Sequence, residues 1–111
     1  MDTVIELAKR LGKQLSAHER TAELKAAQQA ADGDSEAGEL VKSYQEQMQR
    51  ITELEKGQKP IEVADKQKLR DLEEKISLNP ALSDLTRRQV DFVEMMRKVK
   101  EAIDGELQIS I

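Results

Sequence analysis

The sequence contains no cysteine, no tryptophan, one tyrosine and one phenylalanine, and aromatic residues make up only 2% of it. The absence of cysteine excludes disulfides, thiolate nucleophiles, cysteine-ligated zinc and cysteine-ligated iron–sulfur clusters. Because aromatic side chains are so scarce, a core must be built from aliphatic residues and methionine. Aliphatic stripes on highly charged helices meet that condition, so the composition favours helical bundles and coiled coils.

Long apolar runs are also missing, since no stretch approaches the roughly 20 residues of a membrane span. Residues 1–15 alternate polar and apolar at helical spacing, unlike the continuous apolar segment of a signal peptide. The five glycines are isolated, so no glycine-rich phosphate loop is present. We therefore expect a soluble cytoplasmic protein without membrane contact.

Neither sign of charge is in large excess, because 18 basic and 22 acidic residues give a net charge of -4. Phosphate binding needs a concentrated basic surface. The best basic cluster lies on the last predicted helix and consists of Arg87, Arg88, Arg97, Lys98 and Lys100. Acidic residues interleave with this cluster, so we predict no strong direct binding of nucleic acid.

Hydrophobic periodicity predicts five helices at about residues 3–15, 17–31, 35–56, 62–78 and 80–104. The length fits one domain, residues 1–111. The predicted fold class is therefore all-α, a helical bundle with a long central αα-hairpin and a long C-terminal helix.

Turn and capping residues punctuate these helices. Asp34 or Ser35 is predicted to cap the third helix, and Asn79 precedes Pro80 at a typical start of the fifth. Gly57 is expected to end the third helix in a left-handed conformation. These residues bound the central hairpin.

Candidate catalytic residues lack partners. His18 is the only histidine, and Ser16, two residues before it, would not face it on a helix. Ser16 and Glu19 instead have the spacing of a capping box. Neighbouring carboxylates such as Glu53 and Glu55 are interpreted as solvated surface charges. We predict that the chain is not an enzyme and has no catalytic residue, metal site, cofactor or small-molecule substrate.

The central hairpin carries narrow apolar stripes, with about two apolar positions per heptad. The fourth helix is the thinnest, because Asp65 and Lys66 stand where its stripe should continue. Matching stripes of a second copy would cover these surfaces, so we predict self-association as a dimer or tetramer, together with a protein partner. The predicted oligomer or partner interface consists of Leu40, Tyr44, Met48, Ile51, Leu54, Leu69, Leu72, Ile76, Phe92, Met96 and Val99.

Met48, Met95 and Met96 are interpreted as ordinary core residues. On a helical wheel, however, Met95 lies off the main stripe of the last helix, which would place it on an adaptable contact surface.

The order of several segments resembles a known family over about residues 3 to 107. These segments are "LAKRLGKQL", "AELKAA", "DGDSEAGELV", "SYQEQMQRITELEKGQKPI", "LRDLEEKISLNPAL" and "RRQVDFVEMMRKVKEAI". Together they resemble the bacterial YlbF/YmcA family, which includes the YheA-like proteins. The resemblance implies an all-α, oligomeric, cytosolic protein with no known enzymatic activity.

Studied members of that family regulate competence, sporulation and biofilm development. With a third protein they form a complex that influences the endoribonuclease RNase Y and hence mRNA processing. Some members have cysteines implicated in iron–sulfur binding, whereas this chain has none. Because the cysteines are missing, we do not expect the iron–sulfur role of those members here and predict no cofactor.

We interpret the chain as a non-enzymatic helical adaptor that self-associates and regulates a protein partner. One alternative is an RNA-associated helical protein that uses the basic residues of the last helix. Another is a chaperone-like helical structural protein.

Overall fold

A computed structural model describes residues 2–109 of the chain and contains five α-helices, with no strand in that range. They are α1 (Asp2–Ser16), α2 (Glu19–Asp32), α3 (Ser35–Lys56), α4 (Val63–Leu78) and α5 (Pro80–Leu107). The all-α fold class is confirmed. Helix α5 continues through Gly105 and ends at Leu107 rather than near residue 104.

The chain divides into two compact units. The terminal unit consists of Met1–Gln28 and Leu85–Ile111, and the central unit consists of Gln29–Asp84. That the chain is one domain stays a prediction.

The central unit is built on the hairpin of α3 and α4. Ile51 and Leu72 are the large aliphatic residues buried in these two helices, at 9% and 8% exposure. The predicted long central hairpin is therefore present. Its helices bury only a narrow line of side chains, as their sparse apolar stripes require.

Side-chain caps begin α3 and α5 where the sequence predicts them. Asp34 accepts a hydrogen bond from the backbone N–H of Ala37 at 3.1 Å. Asn79 accepts one from the N–H of Leu82 at 3.0 Å, with Pro80 as the first helical residue. Each cap satisfies a backbone donor that a helix start leaves free.

The start of α2 differs from the prediction. Helix α1 extends through Ser16, and His18 takes the capping position, because its Nδ1 accepts a hydrogen bond from the N–H of Arg20 at 3.0 Å. The Thr21 hydroxyl donates to the carbonyl of Leu15 at 2.5 Å and ties α2 to the end of α1. The capping-box interpretation of Ser16 and Glu19 was therefore wrong. An imidazole nitrogen accepts the bond that we assigned to a hydroxyl.

The end of α3 also differs. Gly57 has a φ of -81°, whereas Gln58 has a φ of 53° and occupies the left-handed region. The N–H of Lys59 donates to the carbonyl of Leu54 at 2.8 Å, and the N–H of Gln58 donates to the carbonyl of Glu55 at 3.1 Å. This pair of bonds is a Schellman motif, in which the left-handed residue is the second one beyond the helix. The left-handed assignment of Gly57 was wrong by one residue.

None of the helices within residues 2–109 combines the length and the apolar character needed to cross a membrane.

Candidate protein-interaction surfaces

The structure distributes the predicted interface residues over three levels of exposure. Ile51 and Leu72 are buried in the central unit, while Met48 and Met96 are exposed at 38% and 37%. The remaining predicted residues are half-buried: Leu40, Tyr44, Leu54, Leu69, Ile76, Phe92 and Val99. Half-buried aliphatic side chains at helical spacing leave a partly open apolar surface. Their role as an interface stays a prediction.

Helix α1 exposes an apolar stripe that the predicted interface did not include. No described residue of α1 is buried, and Val4, Ile5 and Leu7 are 63%, 46% and 54% exposed. Leu11 and Leu15 extend the stripe and are half-buried. The spacing of these residues was visible in the sequence, but it was assigned to helix formation alone.

Helix α5 also leaves apolar residues open within the terminal unit. Val90 and Val93 are 60% and 64% exposed, and Ile103 and Leu107 are 48% and 50% exposed. The helix therefore has more apolar surface than its own unit covers.

Met95 is buried at 8% exposure, whereas its neighbour Met96 is exposed. The position of α2 explains why Met95 is buried and Met96 is not. Arg20 donates to the carbonyl of Asp91 at 3.1 Å, and Glu23 pairs with Arg88 at 2.9 Å. Residues 88, 91 and 95 follow one another at helical spacing, so α2 covers the face of α5 that ends at Met95. The interpretation of Met95 as core is confirmed, whereas the same interpretation was wrong for Met48 and Met96, which are exposed. The alternative of Met95 as an exposed contact residue was wrong, because a wheel does not show which side a neighbour covers.

A polar cluster lies inside the central hairpin. Arg50 donates from Nε to Oδ1 of Asp65 at 2.8 Å, and Gln47 donates from Nε2 to the carbonyl of Asp65 at 2.9 Å. Gln47 and Asp65 are 3% and 8% exposed, so both are buried. Asp65 Oδ2 is buried and makes no hydrogen bond.

The hydrogen bond from Arg50 holds the pKa of Asp65 below its ordinary value, against the opposing effect of burial. The charge of Arg50 and the Gln47 amide act in the same direction as the hydrogen bond. A carboxyl group in this state is ionised at neutral pH, so it cannot act as a general acid there. It can instead fix the alignment of the two helices.

Sequence reasoning identified the interruption at Asp65 but not its partner. Gln47 lies between Tyr44 and Ile51 at helical spacing, so it is a polar residue on the apolar stripe of α3. Each hairpin helix has a polar residue within its apolar stripe, Gln47 in α3 and Asp65 in α4. This pattern was the signal that the two residues would contact each other.

Groups of three or more acidic, histidine or cysteine side chains suited to a metal ion do not occur among residues 2–109. A family model described as "Control of competence regulator ComK, YlbF/YmcA" matches residues 4–108. No curated protein matches the chain significantly.

Among solved structures, the chain is similar to Bacillus subtilis RicA, in a crystal structure of RicA in complex with RicF. The TM-score is 0.86 at 16% sequence identity, over 95% of this chain and 93% of that chain. At this identity the similarity establishes the fold.

Proposed function

This chain belongs to the YlbF/YmcA family, and we propose that it is a non-enzymatic helical adaptor that acts by direct contact with a protein partner. By analogy with its family, the process it regulates would be bacterial development or RNase Y-dependent RNA processing. RicA, which shares its fold, has been crystallised in complex with another protein.

The observation that carries the proposal is the amount of apolar surface left open in the terminal unit. On α1 and α5 together, seven large aliphatic residues are at least 46% exposed: Val4, Ile5, Leu7, Val90, Val93, Ile103 and Leu107. Single exposed aliphatic residues are ordinary, but rows of them at helical spacing mark surfaces that associate with other proteins. Such surfaces suit an adaptor.

Self-association through the predicted interface is part of this proposal. Met48 on α3 and Met96 on α5 are its most exposed members. Methionine is flexible and polarisable, so it adapts to a partner surface without a fixed shape. The buried Ile51 and Leu72 would support the interface from beneath rather than touch the partner.

The polar groups of the chain support a non-enzymatic role. Asp65 is bonded within the hairpin, and its free oxygen is buried where a substrate would not reach it. His18 uses Nδ1 to cap α2. A catalytic site needs several groups that converge on an accessible cleft. Asp65 is not accessible, and the surface groove that His18 lines has no carboxylate among its described lining residues.

RNA association is less well supported than protein binding. Arg88 pairs with Glu23 at 2.9 Å and Arg97 with Glu101 at 2.6 Å. These carboxylates offset the positive charge that phosphate binding needs. Binding of RNA at low salt that weakens steeply as salt is added would favour the RNA-associated alternative.

Affinity capture from native lysate tests the adaptor proposal. Tagged wild-type chain should retain a specific protein at a fixed molar ratio, whereas Met96→Glu should lose most of it, because the change places a charge on the predicted interface. Ser83→Glu is the matched control, since it adds the same charge to α5 at an exposed polar position. If no protein is retained specifically, the adaptor proposal fails. If Met96→Glu retains as much as wild type, the interface assignment fails.

A further inference from the structure

The terminal unit contains a groove of about 520 Å³ between the end of α1, the start of α2 and the middle of α5. Its lining residues are Leu15, His18, Arg20, Met95, Lys98, Val99 and Ala102. His18, Lys98 and Ala102 are exposed, so the groove opens to solvent. We propose that this groove binds an acidic amphipathic helix of a partner protein. The inference rests on the proposed adaptor function and specifies the chemistry of the partner.

The floor of the groove is apolar. Met95, Val99 and Ala102 follow one another on α5 at spacings of four and three, so they lie on one face, and Leu15 adjoins them from α1. The step of seven residues from Met95 to Ala102 extends about 10 Å along the helix. A docking helix presents apolar residues with the same period, at i, i+3 or i+4, and i+7, over a similar distance. The small side chain of Ala102 leaves room for one of those residues.

The charged groups that line the groove are cationic. One guanidinium nitrogen of Arg20 donates to the carbonyl of Asp91 at 3.1 Å, a neutral acceptor, and no carboxylate of residues 2–109 forms an ion pair with Arg20. Lys98 is 3.4 Å from Glu94, but the two side chains are 60% and 44% exposed. An ion pair in that setting is weak and exchanges readily with another carboxylate.

No acidic residue lies among the described residues that line the groove. Apolar anchors flanked by Asp or Glu would therefore complement both its floor and its edge. The apolar floor distinguishes this site from one for a phosphate backbone, which would make little use of Met95 and Val99. A helix that carries lysines in the same flanking positions should be rejected, since like charges that meet at an interface are strongly unfavourable.

Synthetic peptides provide a direct test with the full chain. The probe is a labelled helical peptide with leucines at i, i+3 and i+7, flanked by glutamates, and its control has lysines in place of those glutamates. Fluorescence anisotropy should show saturable binding of the acidic peptide and at least about tenfold weaker binding of the basic one. Added salt should weaken the acidic peptide's binding in part, because the apolar contacts persist.

Two variants locate the binding site. Lys98→Glu reverses the charge at the edge, and Ala102→Glu adds bulk and a carboxylate to the floor. Each variant should bind the acidic peptide at least about tenfold more weakly than wild type does. Lys100→Glu is the matched control, because it makes the same charge change at an exposed position of α5 outside the groove. Circular dichroism should show unchanged helix content and melting in all three.

The proposal is overturned if the acidic peptide does not bind, if both peptides bind equally, or if Lys100→Glu weakens binding as much as Lys98→Glu. It is also overturned if Lys98→Glu and Ala102→Glu reduce a wild-type assembly to single chains, since the groove would then hold a second copy. If these variants lose the peptide but still retain a protein from lysate, the adaptor function stands and the groove is not that protein's site. Loss of both the peptide and the lysate protein would support the groove as the site where the adaptor binds that protein.

Discussion

Among single residues, Asp65 has the most specific environment in the central unit. Its carboxylate accepts from Arg50 at 2.8 Å, and its backbone carbonyl accepts from Gln47 at 2.9 Å. A buried polar group is costly unless its bonds are made, so these contacts are satisfied only when α3 and α4 have one particular alignment. Slipping one helix by a turn would separate Asp65 on α4 from both Arg50 and Gln47 on α3.

Replacing Asp65 with asparagine should lower the midpoint of urea unfolding, because Arg50 loses its charged acceptor. Asp71→Asn on the same helix is the control, since Asp71 is exposed and accepts only an exposed hydrogen bond from Gln67. The control should leave the midpoint nearly unchanged. Equal effects of the two substitutions would contradict the role assigned to the cluster.

The effect of Asp65 should depend on pH. Its pKa is lower in the folded chain than its ordinary value, so the folded state binds fewer protons than the unfolded state. The contribution to stability is therefore complete above the ordinary carboxyl pKa and is lost as the pH falls through the lowered pKa. The difference in midpoint between wild type and Asp65→Asn should be constant near neutral pH and shrink in acid. A difference that grows in acid would contradict the assignment.

At the end of α3, the backbone φ angles of Gly57 and Gln58 determine whether a substitution raises or lowers the free energy of unfolding. Gln58→Gly should raise the free energy of unfolding by roughly 0.5–1 kcal/mol, because glycine adopts the left-handed conformation without steric cost. Gly57→Ala should also stabilise, by about 0.4–1 kcal/mol, since a φ of -81° suits alanine and restricts the unfolded chain. Its Cβ would lie 3.4 Å from the carbonyl oxygen of Glu53, an ordinary contact.

Urea unfolding of both variants measures these changes. If Gly57→Ala is destabilising while Gln58→Gly has no effect, Gly57 rather than Gln58 is the left-handed residue.

At the scale of helices, the features that depend only on neighbouring residues could be predicted from the sequence. Asp34 and Asn79 cap their helices as predicted, because a cap needs only a side-chain acceptor and a donor three residues later. The burial of Met95 could not be predicted in this way. It depends on which face of α5 is covered by α2, and residues far apart in the chain, such as Arg20 and Asp91, determine that.

The candidate surfaces were predictable to a similar degree. The apolar stripe of α1 is visible in the sequence as apolar residues at helical spacing, but its exposure depends on which elements pack beside α1. The groove combines Leu15 and Arg20 with residues of α5 that lie about 80 positions further along the chain. Periodicity within a single helix cannot bring such residues together.

Within α4, a charge should be much more destabilising at a buried leucine than at an exposed one. Leu72→Asp places a carboxylate at a position of 8% exposure and should cost about 3 kcal/mol or more. Leu78→Asp on the same helix is the control, because Leu78 is 73% exposed and the change should cost about 1 kcal/mol or less. Thermal unfolding followed by circular dichroism measures both. A Leu72→Asp chain that melts like wild type would contradict the packing of the hairpin.

At the scale of the whole molecule, the account depends on apolar surface that one chain leaves open. The large aliphatic residues of α1 and the outer side of α5 are exposed, and few large side chains among residues 2–109 are deeply buried. Association would add the burial that a chain with little core of its own lacks. Stability and assembly should therefore be linked, and the melting temperature should rise with protein concentration.

The most direct test is the molar mass of the wild-type chain, measured by light scattering over a range of micromolar concentrations. A self-associating adaptor should give twice or four times the chain mass of 12.6 kDa, with the fraction of assembly falling on dilution. A single, concentration-independent mass of 12.6 kDa from a folded sample would contradict the account.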